Sequence, residues 1–228
     1  MENNQIRTAA IIVAAGESQR MTGIDKVLAT LGGEPILVRA SRPFQECPLV
    51  HRIVVVANRK NKARCQHLMG GGEWSKVSDV YLGGKRRQDS VLAGLKQLKN
   101  YDWVIIHDGA RPLVTADLIE RGLEAAGETG AAIAAVPMTD TVKVAGDDKI
   151  VGQTLPRDNL WTVQTPQIFR FDIITKAYHC IKNEVTDDAS LVEQLGYKVK
   201  LYMGSNNNIK ISTLDDMALA EKLWRERR

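Results

Sequence analysis

Cysteine is scarce in this 228-residue chain. There are three, Cys47, Cys65 and Cys180, odd in number and far apart. No C-x-x-C spacing occurs, which argues against a disulfide framework and a zinc ribbon. They read as free thiols in a reducing compartment. Long apolar runs are missing too. The longest, Ala9 to Ala15, has seven residues, against about twenty for a membrane span. The segment before it is polar, and Gly16-Glu17-Ser18-Gln19-Arg20 after it reads as a loop rather than a cleavage site. Nor is there a large excess of one charge: 31 Lys+Arg face 27 Asp+Glu, a net charge of +4. Arg225, Arg227 and Arg228 crowd the last four residues, so the body is near balance and lacks the dense basic face of a nucleic-acid binder. The expectation is a cytoplasmic protein with neither membrane nor nucleic acid as partner. No internal repeat, low-complexity tract or linker interrupts it. What remains, 44% hydrophobic and 25% charged, suits one globular domain spanning residues 1–228.

What is present is a rhythm. Short β-branched or alanine-rich runs at Thr8–Val13, Ile53–Ala57, Val77–Leu82, Trp103–His107 and Ala131–Val136 are continuously apolar. Strands covered on both faces look like that, which points to a parallel sheet. Helical patterns fall between them, near Pro35–Gln45, Lys60–Leu68, Arg87–Leu98 and Thr115–Ala126, with Pro35 suited to a first helical position. The alternation implies an α/β, Rossmann-like, doubly wound fold with a mostly parallel sheet. After Pro137 the rhythm breaks. Thr141–Ala145 and Ile150–Leu155 flank Gly146-Asp147-Asp148, a hairpin signal that fits either an inserted arm or a plain sheet edge. Helices return at Asp172–Ile181, Asp187–Leu195 and Asp215–Arg225, the last two with Thr186 and Ser212 as capping candidates.

Ligands of open α/β sheets bind beyond the carboxyl ends of the strands. There the first strand runs into Ala14-Ala15-Gly16, followed by Arg20, Met21 and Lys26. Small residues allow close backbone approach to a ligand and two cations suit phosphate. No G-K-[ST] closes the loop and no G-x-G-x-x-G opens it, so it is neither a Walker A loop nor a dinucleotide fingerprint. The third strand leads into Gly83-Gly84-Lys85-Arg86-Arg87, with Ser90 in the helix that follows. The fourth leads into His107-Asp108-Gly109-Ala110-Arg111-Pro112. Asp108 there suits a magnesium ion or a hydroxyl, whereas His107, in an apolar strand, reads as a packed core residue. No Ser/His/Asp order, glycosidase carboxylate pair or H-E-x-x-H appears. Several cation-bearing loops without an evident protein nucleophile fit catalysis by positioning and charge neutralisation, as in nucleotidyl and phosphoryl transfer.

Taken together, eight ordered motifs resemble one family. They are Ala14-Ala15-Gly16-x-x-x-Arg20-Met21 with Lys26, Gly83-Gly84-x-x-Arg87-x-x-Ser90, His107-Asp108-x-Ala110-Arg111-Pro112, Asp140-Thr141-x-Lys143, Arg157-x-x-Leu160-Trp161, Gln164-Thr165-Pro166-Gln167, Thr186-Asp187 and Asn208-Ile209-Lys210. From residue 8 to 223 the chain is similar to the 2-C-methyl-D-erythritol 4-phosphate cytidylyltransferases, whose fold is that of nucleotide-diphospho-sugar transferases. The resemblance implies transfer from CTP to that polyol phosphate with release of pyrophosphate, Mg²⁺ or another divalent cation, and a role in non-mevalonate isoprenoid biosynthesis. It implies that Arg20 and Lys26 stabilise developing charge and that Arg157 and Lys210 hold the polyol's phosphate. Ala14, Ala15, Gly16, Gly84, Arg87, Ser90 and Gly109 would contact CTP. Asp108, Arg111, Thr141, Thr165 and Thr186 would line the polyol site, with Asp108 also the metal ligand. The hairpin, residues 138–158, would be an arm exchanged within a homodimer. Two departures stand out, Ser18 where relatives often have glycine and Lys85 where an acidic residue is common. The chain's length leaves no room for the cyclodiphosphate synthase domain fused to some relatives. Ribitol-5-phosphate cytidylyltransferase is the neighbouring alternative, disfavoured by Lys143 and Arg157–Trp161. A regulatory nucleotide-binding protein without catalysis is the other, marked by loss of Arg20, Lys26 or Asp108, all of which are present.

Overall fold

The computed structural model describes residues 6–16 and 25–227. Along the chain, β1 (Thr8–Ala14) is followed by the two-residue strands β2 (Thr30–Leu31) and β3 (Glu34–Pro35) and by helix α1 (Ile36–Glu46). Next come β4 (Arg52–Ala57), α2 (Lys62–Met69), β5 (Val77–Leu82), α3 (Arg87–Leu95), β6 (Trp103–Asp108), α4 (Ala116–Thr129) and β7 (Ala131–Pro137). A hairpin of β8 (Lys143–Ala145) and β9 (Val151–Thr154) precedes β10 (Trp161–Arg170), α5 (Phe171–Cys180), α6 (Ala189–Gln194), β11 (Lys200–Met203) and α7 (Leu214–Glu226).

Seven strands make one sheet in the order β11-β7-β10-β6-β1-β4-β5. Its pairings are parallel except those of β10, which runs antiparallel to both β6 and β7. Side-chain alternation on β1 explains the layers. Ala10, Ile12 and Ala14 join Leu37 and Phe44 of α1, Cys65 of α2 and Leu118 of α4. Ala9 and Ile11 join Val91 of α3, Ile173 of α5 and Val192 of α6 on the other face. A strand buried on both faces must be apolar at every position, which is why its sequence shows no alternation. A third cluster, Leu31, Ile36, Leu113, Ile211 and Ala220, is covered by α7. Among the described residues no helix is long and apolar enough to cross a membrane.

The Rossmann-like, mostly parallel architecture matches the sequence expectation, with local differences. Pro35 ends β3 and flanks α1 with ψ 142°, outside the helix rather than as its first residue. Helix α3 ends at Leu95, three residues early. Thr186 does not cap α6; Asp187 accepts the Ser190 N–H at 3.1 Å instead. Thr213, not Ser212, caps α7, accepting from Asp216 N–H at 3.2 Å while the Asp216 carboxylate accepts the N–H of both Ser212 and Thr213. The ten-residue β10 is not among the strands that the sequence pattern predicts. Its Gln164-Thr165-Pro166-Gln167 stretch reads as a loop because proline cannot donate to a ladder. The chain accommodates it where the register against β7 shifts between Val163 and Gln167, with a cis Thr165–Pro166 bond.

Candidate active site

The carboxyl ends of β1, β4, β5 and β6 open onto a cleft of about 980 Å³. Ala14, Ala15, Gly16 and Lys26 form one wall, and Gly84, Arg87 and Ser90 another. The glycine turn after β5 is tight because Ser90 sits beneath it. Ser90 Oγ accepts from Gly84 N–H at 3.2 Å, and a Cβ on Gly83 would lie 2.5 Å from that oxygen. Across the cleft, the Lys26 ammonium stands 4.0 Å from the point a Gly16 Cβ would occupy. Asn58, Arg59 and Lys60, from the turn after β4, complete the lining. No motif marked these three, since an Asn-Arg-Lys turn carries no chemical signature.

A second cavity of about 440 Å³ is lined by Arg111, Thr165, Thr186, Asp187, Glu193 and others. Arg87, Asp108 and Lys210 line both spaces, so the two cavities meet at this trio. Asp108 closes β6 and is buried. Its Oδ1 accepts from Arg87 Nε at 3.1 Å, its Oδ2 pairs with Lys210 Nζ at 2.8 Å, and Arg111 Nε stands 3.9 Å away. Burial by itself would raise the Asp108 pKa. The charges of Arg87, Lys210 and Arg111 outweigh it and hold the carboxyl well below the usual carboxylate range.

Two further groups hold the trio in place. Asp188, fully buried, takes Arg87 Nη1 at 2.7 Å and accepts the Tyr178 hydroxyl at 2.5 Å. Arg87 is thus fastened between two carboxylates that belong to different elements. Arg111 donates to the Asn208 carbonyl at 2.7 Å, and Asn208 donates to the Thr165 carbonyl at 2.8 Å. The sequence reading gave Asp188 no role, and no linear signal separates it from Asp187: the Arg87–Asp188 contact spans 101 residues.

His107 is a core residue, as its strand context suggests. It is fully buried, 5.1 Å from the Phe44 ring centroid. Nε2 lies 3.2 Å from the Arg111 carbonyl and must donate to it, which leaves Nδ1 to accept from Thr165 Oγ1 at 3.0 Å. Thr165 Oγ1 in turn accepts the Asp108 N–H at 3.0 Å. The Thr165 proton is therefore committed to His107, and Thr165 lines the smaller cavity as a group that positions Asp108. Burial lowers the His107 pKa to about 4, although Asp108 opposes the shift.

Some of the other expected site residues line neither cavity. Gly109 lines neither cavity. Its N–H donates to the Val13 carbonyl at 2.9 Å, and a Cβ there would stand 3.1 Å from that oxygen, so its smallness serves the contact of the loop with β1. Thr141 and Arg157 are exposed and line neither cavity; Arg157 Nη1 donates to the Thr139 carbonyl at 3.0 Å. Arg20 and Ser18 fall outside the described residues. Asp108 as a metal ligand fits poorly, because Arg87, Lys210 and Arg111 already surround it with positive charge. Among the described residues no three His, Cys, Asp or Glu side chains gather as a metal cluster.

Comparison with known proteins gives the family. The family described as IspD, 2-C-methyl-D-erythritol 4-phosphate cytidylyltransferase, matches residues 8–226. A protein of that name from Dehalococcoides mccartyi (strain CBDB1) is 47% identical over 222 residues, 97% of this chain and 98% of the relative. The crystal structure of 4-diphosphocytidyl-2C-methyl-D-erythritol synthase from Anaerococcus prevotii superposes with a TM-score of 0.85 at 28% identity, covering 96% of this chain and 99% of that one. The Francisella tularensis 2-C-methyl-D-erythritol 4-phosphate cytidylyltransferase gives 0.79 at 34% identity, covering 95% and 99%. With its motifs in order on the matching fold, the chain belongs to the 2-C-methyl-D-erythritol 4-phosphate cytidylyltransferase family.

Proposed function

We infer how the two cavities divide the reaction that family membership assigns to this chain. That reaction converts CTP and 2-C-methyl-D-erythritol 4-phosphate to 4-diphosphocytidyl-2-C-methyl-D-erythritol and pyrophosphate, in non-mevalonate isoprenoid precursor biosynthesis. Neither the ribitol-5-phosphate enzyme nor a non-catalytic regulator is favoured by the comparisons. The observation that carries the division is the shared trio Arg87, Asp108 and Lys210. The larger cleft, with its small-residue walls and Lys26, takes the nucleotide. The smaller one takes the polyol phosphate.

In this reading a phosphate oxygen of the polyol phosphate attacks the α-phosphorus of CTP. The bond from that phosphorus to the β-phosphate bridging oxygen breaks, and pyrophosphate leaves with the electron pair. Lys26, with Arg20, offsets the growing charge, and Lys210 orients the attacking phosphate. Such positioning and charge stabilisation suffice without a protein nucleophile. Asp108 stays ionised, gathers the cations and can accept from a polyol hydroxyl. Enzymes of the family generally use divalent metals, but the donor set at Asp108 does not fit a cation held by the protein alone.

Homodimerisation is supported by the hairpin. Every residue of β8 and β9 is exposed, and Val144, Ile150 and Val151 present apolar side chains at 47%, 68% and 54% exposure. A lone two-stranded ribbon is marginal in water, so an arm of this kind gains stability by packing on a partner. Arg157 and Thr141 would then serve the partner's site.

A pyrophosphate-release assay with CTP across a panel of polyol phosphates tests the reaction and its substrate. The expected outcome is release with 2-C-methyl-D-erythritol 4-phosphate well above every other member. A clear preference for ribitol 5-phosphate would overturn the substrate and leave the reaction class standing.

A further inference from the structure

We propose that Asn61 is a positioning residue for Lys26, fastening the segment that carries this cation to the end of β1. The proposal rests on the reading of Lys26 as the group that offsets charge on the transferring phosphate. Asn61 sits just before α2, next to the cleft-lining turn of Asn58, Arg59 and Lys60, and is 1% exposed. Its amide uses both hydrogens. Nδ2 donates to the Ala14 carbonyl at 3.1 Å and to Asp25 Oδ2 at 2.8 Å. Ala14 opens the small-residue wall, and Asp25 is the neighbour of Lys26. The remaining atom, Oδ1, accepts the Asn58 N–H at 2.9 Å, while Asn58 Oδ1 accepts the N–H groups of Asn61 and Lys60 at 3.0 and 2.8 Å.

The Asp25 end is equally determined. Its second carboxylate oxygen accepts the Val27 N–H at 3.1 Å, and its carbonyl accepts from Leu28 and Ala29, both at 3.0 Å. Val27 is buried, and its carbonyl takes the Leu37 N–H at 2.9 Å. A single buried amide therefore ties the end of β1, which lines the cleft, to the residue next to Lys26. Aspartate lacks the two donors, serine lacks the reach, and glutamine adds a methylene where the fit is already closed. Displacing a charge-stabilising group by about 1 Å can lower a rate on the order of 10²-fold. The sequence reading missed Asn61 because nothing in Asn58-Arg59-Lys60-Asn61 marks one asparagine as buried.

A double-mutant cycle tests this against a merely structural role. Asn61→Asp is isosteric, but it removes both donors and faces Asp25 and the Ala14 carbonyl with negative charge. With both substrates saturating, kcat should fall by about 10- to 100-fold, and KM for 2-C-methyl-D-erythritol 4-phosphate should stay within about twofold. In a Lys26→Ala background the same change should lower kcat by less than about twofold, because the group it acts through is gone. Asp25→Ala, run through the same cycle, serves if Asn61→Asp does not fold. Adding Asp25→Asn to Asn61→Asp rebuilds the bond between positions 25 and 61 with donor and acceptor exchanged but leaves the Ala14 carbonyl facing a carboxylate, so it should restore only part of the lost turnover. An equal fall in both backgrounds, or an unchanged kcat in the wild-type background, would overturn the positioning role alone. Near-normal turnover of Lys26→Ala by itself would remove the Lys26 reading and this inference together.

Discussion

At the residue scale the decisive feature is a carboxylate held among cations by groups far apart in the chain. Asp108 meets Arg87, Arg111 and Lys210, and the strand beneath it is steadied by the Thr165–His107 pair. That pair makes stability depend on pH. His107 is neutral and buried with a folded pKa of about 4, against about 6.5 in an unfolded chain. Between these values the unfolded state binds the extra proton, so folding is favoured as pH rises through the window and weakened as it falls. For these two pKa values the loss from pH 8 to pH 5 is about 2 kcal/mol. Asp108 acts in the same sense only below about pH 4, where an unfolded carboxylate takes up its proton. Urea unfolding at pH 8 and pH 5 should show this loss in the native chain and a clearly smaller one in His107→Asn. An identical difference in both proteins would mean that His107 is not the group responsible.

At the element scale, α7 holds the β2–β3 turn against the body. Gly32 N–H donates to Glu221 at 3.0 Å, and Arg39 stacks over the Trp224 ring at 3.7 Å while donating to the Gly32 carbonyl at 2.7 Å. The turn contains two glycines with positive φ, Gly32 at 53° and Gly33 at 90°. They differ in their surroundings. A Cβ on Gly32 would lie 2.3 Å from Trp224 Nε1, whereas one on Gly33 meets nothing within 4 Å. Gly33→Ala carries only backbone strain, about 1–2 kcal/mol. Gly32→Ala adds displacement of the Trp224 ring, so its Tm should fall further than that of Gly33→Ala. Equal melting temperatures would show that α7 yields freely and does not anchor this turn.

At the scale of the whole molecule, the proposed dimer makes a prediction about two basic residues. Lys210 lies at the junction of the cavities, while Arg157 is exposed and follows the hairpin in the chain. If the arm crosses to a partner, Arg157→Ala and Lys210→Ala homodimers should both be nearly inactive. Co-refolding equal amounts should place about half of the dimers in the mixed class, restoring roughly a quarter of all sites. Mixed dimers that form without regaining activity would show instead that each arm serves its own chain.

Residue pattern was enough for the layers and for the strand-end loops that line the cleft. Continuous apolar runs such as Ala9–Val13 and Ile53–Ala57 can only be covered on both faces, and glycine loops with cations after them follow from what phosphate binding needs. These signals are local, carried by residues adjacent in the chain. Tertiary structure decided what depends on distant partners. It inserted β10 antiparallel between β6 and β7, chose Asp188 over Asp187 to hold Arg87, and set the Gly109 N–H against the Val13 carbonyl. It also gave the Asn61 amide its two distant acceptors, 47 and 36 residues away. A buried polar atom must be satisfied, but which group satisfies it depends on where the folded chain brings the two together.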